Sequence, residues 1–399
     1  MIERLLEHQD SMKTVPVAEK SMHRLPALDL LRAIAIVWVM LFHSYIVGGL
    51  GAHFSVLENS GWMGVDLFFV LSGYLIGSQL LKPLSRGEPL AFADFYLRRA
   101  FRVLPAFFVV LALYFCWPAF RESPGIQPAW QFVTFTVNFL IDYQHNKAFS
   151  HVWSLCVEEH FYLLFPWLAW WLTRRPSLRK VVIVCVGLVV AGMLLRGYVW
   201  LHELAPLRDL DDGRFNRRFI EDIYYPTYMR LDGLLAGVVL ATIKIYRPAW
   251  WQRVQQNANA LLLFGVVVVA ASIVVFQDRS GLLATVIGYP LLSCGLMLLV
   301  AAGTGTQGWL GRIRMPGAGW LAMVSYSLYL THKAVYKLIE NTFGAALQDH
   351  ALLAFVAYAA VSLLVAALLH YAVERPFLRM RETLFARSRR ELIAENAVT

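Results

Sequence analysis

The sequence predicts an all-α integral membrane protein of about ten transmembrane helices, with both termini cytoplasmic. Three observations carry this. Of 399 residues, 58% are hydrophobic and only 16% are charged, against about 25% charged in a soluble domain. Apolar windows of membrane length recur along the chain. Lys and Arg gather in alternate loops between them. The same composition excludes a disordered chain, which needs low hydrophobicity and high charge. It also argues against an ordinary cytosolic enzyme. The formal net charge of +9 would suggest nucleic acid in a soluble protein; here it marks cytoplasmic loops. Cys116, Cys156, Cys185 and Cys294 each sit in or beside an apolar run. They read as small core hydrophobes rather than disulfides or metal ligands.

Residues 1–24 are polar and of mixed charge, and are expected as a cytoplasmic tail. The first apolar run is too long for the core of a cleavable signal, so it is expected to persist as the first span. Windows then fall at roughly 28–49, 62–81, 103–120, 155–173, 181–201, 226–245, 260–277, 282–303, 319–341 and 351–374. The run 130–141 reads as a re-entrant or interfacial segment, or as an eleventh span. Lys82, Arg86, Arg98, Arg99 and Arg102 precede the third window, whereas 50–61 has no Lys or Arg. Arg174, Arg175, Arg179 and Lys180 fall on the basic side as well, as do Arg312 and Arg314. The loop 202–225 dissents with Arg208, Arg214, Arg217 and Arg218, but Asp209, Asp211, Asp212 and Glu221 share it. No internal repeat is evident. After Phe377 only a short basic tail, 378–399, is expected, cytoplasmic and without a further extracytoplasmic domain.

Ionisable groups within spans are costly and mark function by default. The first window holds Asp29, Arg32 and His43. Asp29 and Arg32 are spaced to pair. Arg32 and His43 are eleven apart, hence on one face and about 16 Å apart along the axis. Read alone, Arg32 snorkels to the interface and His43 makes a packing hydrogen bond. Asp66 opens the second window, where a helix dipole favours an acid. Ser154, Glu158 and Tyr162 are spaced by four and line one face. Glu159 is a second adjacent carboxylate. Arg230 and Asp232, two apart, each need a partner on another helix. Ser325, Tyr329 and His332 form a stripe; interhelical hydrogen bonding is the simplest reading for Ser325 and Tyr329.

Two polar levels result. The outer level is expected to hold His43, Asp66, Glu158, Glu159, Arg230 and Asp232. The inner holds Arg32, with Arg98, Arg99 and Arg102 beside it. Arg99 and Arg102 could clamp a phosphate if helical, although three arginines alone are ordinary positive-inside charge. A basic inner mouth suits a cytosolic donor rich in phosphate. A His with nearby carboxylates suits general-base catalysis on a hydroxyl. No GxSxG, HExxH, phosphate-binding Gly-rich loop or CxxC is present, so a serine or zinc hydrolase has little support.

Seven motifs stand in order. They are Leu28-Asp29-Leu30-Leu31-Arg32 with ten residues before His43, Gly64-Val65-Asp66 through Ser72-Gly73, and Arg98-Arg99-Ala100-Phe101-Arg102. Then come His151 through Glu158-Glu159, Arg230-Leu231-Asp232-Gly233, Ser325-Tyr326 through His332, and Glu374-Arg375-Pro376-Phe377. Together, from Leu25 to Phe377, they resemble the membrane acyltransferase-3 family, which O-acetylates bacterial surface polysaccharides and other hydroxylated acceptors. The resemblance implies a membrane acyltransferase domain over 25–377. It implies Arg32 and His43 as the essential pair, with His43 the base, and that Arg99 and Arg102 serve an acyl-CoA co-substrate, usually acetyl-CoA, from the cytoplasm. The mechanism expected from this has Arg98 dock the donor together with Arg99 and Arg102, and Asp66 or Glu158 orient His43. No bound cofactor and no metal are expected. The expected partners are the acyl-CoA donor, a glycan acceptor and the lipid bilayer, not nucleic acid. The expected location is the bacterial inner membrane. His160 replaces a usual Gln, and Thr331 precedes His332 where an aromatic is common; both are expected to bear on acceptor fit. Two other readings stand behind this one. A glycosyltransferase using a lipid-linked sugar would draw on Asp209, Asp211 and Asp212. A transporter or flippase would use His43 and Glu158 as relay groups.

Overall fold

A computed structural model describes residues 25–47, 49, 54–174, 177–210, 212–347 and 351–396. The expected tail 1–24, Arg175 and Asp211 lie outside the described residues. The described chain is helical almost throughout. Its only β pairing is an isolated bridge between Ile126 and Ala148.

Ten long helices coincide with the ten apolar windows. They are α1 (Pro26–Phe42), α2 (Met63–Ser85), α3 (Phe92–Cys116), α4 (Trp153–Thr173), α5 (Leu178–Val199), α6 (Asp232–Tyr246), α7 (Ala258–Val275), α8 (Tyr289–Thr304), α9 (Ala318–Leu347) and α10 (Ala351–Leu369). Among the described residues, seven helices are long and apolar enough to cross a membrane. The chain is therefore a multi-pass membrane protein. The other three windows belong to α4, α6 and α9. Two of these are diluted by polar residues: Glu158, Glu159 and His160 on α4, and Ser325, His332 and Lys333 on α9. α6 is shortened to 15 residues, because a 3-10 turn at Thr227–Met229 and a non-helical Arg230 occupy the start of its window.

The segment 130–141 is not a span. It forms two short helices, Ala129–Val133 and Val137–Leu140, broken at Phe135 by a φ of 54°. A left-handed residue with a Cβ cannot continue a helix. The end of the chain also differs from a simple tail. A π turn at His370–Glu374 leads from α10 into α11 (Arg375–Asn396). Pro376 is tolerated in its first turn, and Arg, Glu, Leu and Ala beyond it favour helix.

Burial ranks the helices. The span on α2 is 72% buried and that on α1 67%, whereas those on α5 and α7 are 17% buried. α1 and α2 are thus central, and α5 and α7 present apolar side chains outward, as a lipid-facing helix must. α2 makes its most extensive contact with α6. A Cβ on Gly73 would lie 2.0 Å from the Leu234 carbonyl oxygen, and one on Gly237 would lie 2.3 Å from that of Val70. Only glycine permits this approach, as expected for close helix crossings in membranes.

Candidate active site

α1 ends at Phe42, and the chain tightens into a 3-10 turn that begins at His43. This leaves His43 9% exposed, on the wall of a cavity of about 370 Å³. Behind it stands His332 of α9, whose Nε2 lies 2.9 Å from His43 Nδ1. His332 Nδ1 in turn meets the backbone carbonyls of Leu328 at 3.1 Å and Tyr329 at 2.9 Å. A carbonyl only accepts, so His332 Nδ1 carries the hydrogen. In neutral His332, Nε2 is then the acceptor, and His43 Nδ1 donates to it. The lone pair of neutral His43 is consequently on Nε2. This hydrogen-bond chain fixes the tautomer a general base needs.

A third imidazole, His151, lies 6.4 Å from His43 and 5.4 Å from His332 between ring centroids. It follows Phe149, whose left-handed φ of 60° is held by stacking on Tyr114 at 4.2 Å. The Phe149 N–H donates to Glu122 at 3.0 Å. Glu122 also accepts from Tyr114 at 2.9 Å and pairs with Lys333 at 3.2 Å. One buried carboxylate thus ties α3, the loop before α4, and α9 around the histidines.

A second cavity, of about 160 Å³, is lined by Arg32, Arg99, Arg102, Ser72, Glu158 and Tyr162, among others. Val65 and Tyr329 line both cavities. The Tyr329 hydroxyl donates to the His151 carbonyl at 2.7 Å and bonds Ser154 Oγ at 2.5 Å. It forms the partition between the two spaces. Ser72 donates to Glu158 at 2.6 Å. Arg32 pairs loosely with Asp29 at 3.7 Å, and Arg99 lies 4.6 Å over the Tyr162 ring. Arg102 is ion-paired with Glu374, which also accepts from Ser327 and engages His370 Nδ1, each at 2.9 Å.

Several expectations need correction. Neither Asp66 nor Glu158 orients His43. Asp66 receives two bonds from Arg230 Nη2, at 2.8 and 3.0 Å, and lines neither cavity. Asp232 is bound likewise by Arg196 at 2.8 and 3.0 Å. Arg230 and Asp232 do find partners on other helices, as their spacing required. These pairs are packing elements: the Arg230 guanidinium is enclosed by Tyr289 at 4.3 Å and Tyr224 at 4.5 Å. Glu158 belongs with the arginines, not with His43, because it sits more than a turn into α4. Arg98 faces away from the cavity, 3.8 Å over Phe385 of α11. Glu159 lines neither cavity. His160 bonds Thr227 at 2.7 Å and stacks on Phe139, while Thr331 bonds its own helix at Ser327. Neither departure from the motifs touches a cavity. Asp212 is taken up by Arg214, whose backbone N–H and guanidinium hold its carboxyl below the usual range.

Sequence reasoning missed Lys333 and Glu122, named His151 only as part of a motif, and assigned His332 no role. Lys333 within an apolar helix was the available signal.

The order and spacing of these residues match a family model described as an acyltransferase domain, over residues 25–371. The chain belongs to the acyltransferase-3 family. Its similarity extends to a protein of Staphylococcus aureus strain COL that carries a provisional O-acetyltransferase name, 26% identical over 90% of this chain and 58% of that protein. A peptidoglycan O-acetyltransferase, OatA, of Listeria monocytogenes is 25% identical over 78% of this chain and 49% of its own length. The O-acetyltransferase OatA of Staphylococcus aureus strain NCTC 8325 is 30% identical over 55% of this chain and 34% of its own. The chain thus spans about half the length of the relatives it matches. No solved structure matches it.

Proposed function

We propose that this acyltransferase-3 protein moves an acyl group, most simply acetyl, from cytosolic acyl-CoA to a hydroxyl of a cell-surface or exported glycan. The observation that carries the reading is the shared wall. A cavity lined by Arg32, Arg99 and Arg102 meets, at Val65 and Tyr329, a cavity lined by His43. Clustered guanidinium groups suit the phosphates of coenzyme A. The thioester arm would pass between the two cavities at Val65 and Tyr329, which line both. In the wider cavity His43 Nε2 takes the proton of the acceptor hydroxyl. The oxygen attacks the thioester carbonyl, the C–S bond breaks, and the leaving thiolate takes up a proton, returning His43 to its neutral form.

The orientation belongs to the same proposal. With the basic loops cytoplasmic, ten spans leave both termini inside, the arginine cavity opens inward and the His43 cavity outward, in a bacterial inner membrane. The names of the relatives support acetyl as the group and a polysaccharide as the acceptor.

The test is sidedness. Protein in sealed liposomes receives radiolabelled acetyl-CoA on the arginine side and a soluble oligosaccharide on the other. Label on the oligosaccharide supports the reading. Donor turnover with no labelled glycan, across several sugars, would overturn it.

A further inference from the structure

We infer that the wide cavity is built for an anionic saccharide, and that Arg279 is the residue that recognises its carboxylate or phosphate. Two permanently cationic side chains line this cavity among the described residues, Lys333 and Arg279. Lys333 is neutralised by Glu122 at 3.2 Å. Among the described residues Arg279 has no carboxylate within ion-pair distance and donates no hydrogen bond, and the one carboxylate that acts on it from farther off, Asp66, is bound by Arg230. Its Nε is buried with no partner, a cost that a ligand oxygen would remove.

The side chain is nevertheless held in place. Its guanidinium lies 4.4 Å from the Tyr224 ring, 4.6 Å from Trp62 and 5.3 Å from Phe42. The turn that carries it is anchored on both flanks: Trp200 Nε1 donates to the Ser280 carbonyl at 2.7 Å, and Arg208 pairs with Asp278 at 2.8 Å. A guanidinium fixed by aromatic faces, with its donor edge unused, is pre-organised for a planar oxyanion. Phe42 stands between Arg279 and His43, with the Phe42 and His43 rings 5.2 Å apart. That spacing suits a charge on the sugar that is acylated, or on its neighbour. Trp62 and Trp153 line the same wall, where Arg279 packs on Trp62 and Tyr225 stacks on Trp153. The inference rests on the acyl-transfer reading for the fate of the sugar, but not for its binding.

The experiment therefore reads binding first. Protein in phosphatidylcholine nanodiscs is titrated with digalacturonate, its carboxyl-reduced counterpart, N-acetylglucosamine 6-phosphate and N-acetylglucosamine, following Trp fluorescence. Wild type is expected to bind at least one anionic sugar at least tenfold more tightly than its neutral partner. Arg279→Ala and Arg279→Gln are expected to bind the two members of that pair equally, and Arg279→Lys to restore part of the preference. Whether digalacturonate or the phosphate sugar shows the preference tells carboxylate from phosphate. Equal binding by wild type, or a preference that survives in both Arg279→Ala and Arg279→Gln, would overturn the inference. So would loss of sugar binding in phosphatidylglycerol nanodiscs, which would make the anion a lipid headgroup. Selective binding without acylation of the bound sugar leaves the site standing and removes the acyl-transfer reading instead.

Discussion

His332 Nε2 sits 2.9 Å from His43 Nδ1, and this bond sets which nitrogen of His43 can act as a base. His332 is a positioning residue: it holds the ring and its tautomer without lining the wide cavity. His332→Ala is expected to lower kcat by about 10- to 100-fold, the scale of a misplaced catalytic group, with little change in KM for the acceptor. His332→Gln, which can still accept the bond through its carbonyl, is expected to recover part of the loss. A proton on the pair removes the base, so the kcat/KM profile falls on its acid side. That limb is expected to move in His332→Gln, which a purely structural role would not produce. Steady-state kinetics across pH checks both.

The Lys333–Glu122 pair is buried beside the histidines. Removing one partner strands a charge, at a cost of about 3–5 kcal/mol. Glu122→Gln and Lys333→Met are each expected to lower thermal stability in detergent sharply. The double variant is expected to recover much of the loss. Additive losses in the double-mutant cycle would contradict the coupling.

Asp66→Asn tests whether Asp66 serves packing rather than catalysis. The Arg230 and Arg196 side chains are each 1% exposed, and their carboxylate partners make them tolerable there. Asp66→Asn is expected to reduce the yield of folded protein, with the remaining activity in proportion to it. A fully folded variant with strongly reduced specific activity and an altered pH profile would return Asp66 to the catalytic group.

Gly73→Ala places a methyl 2.0 Å from the Leu234 carbonyl oxygen. Backbone on one side and a buried helix on the other leave no route for relief. A loss of about 1–3 kcal/mol or more is expected, read as a lower midpoint in thermal unfolding. Gly187→Ala, where a Cβ meets nothing within 4 Å and φ is not positive, is expected to cost little; an equal loss there would contradict crowding as the cause.

Much of this architecture is legible in the sequence. Apolar windows locate the long helices, seven of which among the described residues are long and apolar enough to cross a membrane, because burial in lipid needs about 20 apolar residues in a row. Their ends follow less well: Phe135 adopts a left-handed conformation that nothing in its neighbours' composition signals. The intramembrane charges flag the site: Arg32, Arg99, Arg102 and His43 do line cavities, and Arg98 does not. What single-residue reading cannot supply is pairing. Asp66 and His43 stand at matching depths in the pattern, yet the carboxylate turns to Arg230, because an arginine in an apolar helix needs a partner more than an imidazole does. Glu158 falls on the arginine side for a reason of depth: one and a half helical turns carry it about 7–8 Å from the start of α4. Arg279 lies in a turn between two spans, where arginine carries no special signal.

The central claim is that the arginine cavity holds the donor and His43 performs the transfer. The most direct test gives radiolabelled acetyl-CoA to nanodisc-held wild type, His43→Ala, Arg98→Ala and the Arg99→Ala/Arg102→Ala double variant, and reads donor binding and thioester turnover together. Wild type and Arg98→Ala are expected to bind and turn over the donor. His43→Ala is expected to bind it without turnover, and the double arginine variant to lose binding. Turnover retained in folded His43→Ala, or binding retained in the double variant, would contradict the account.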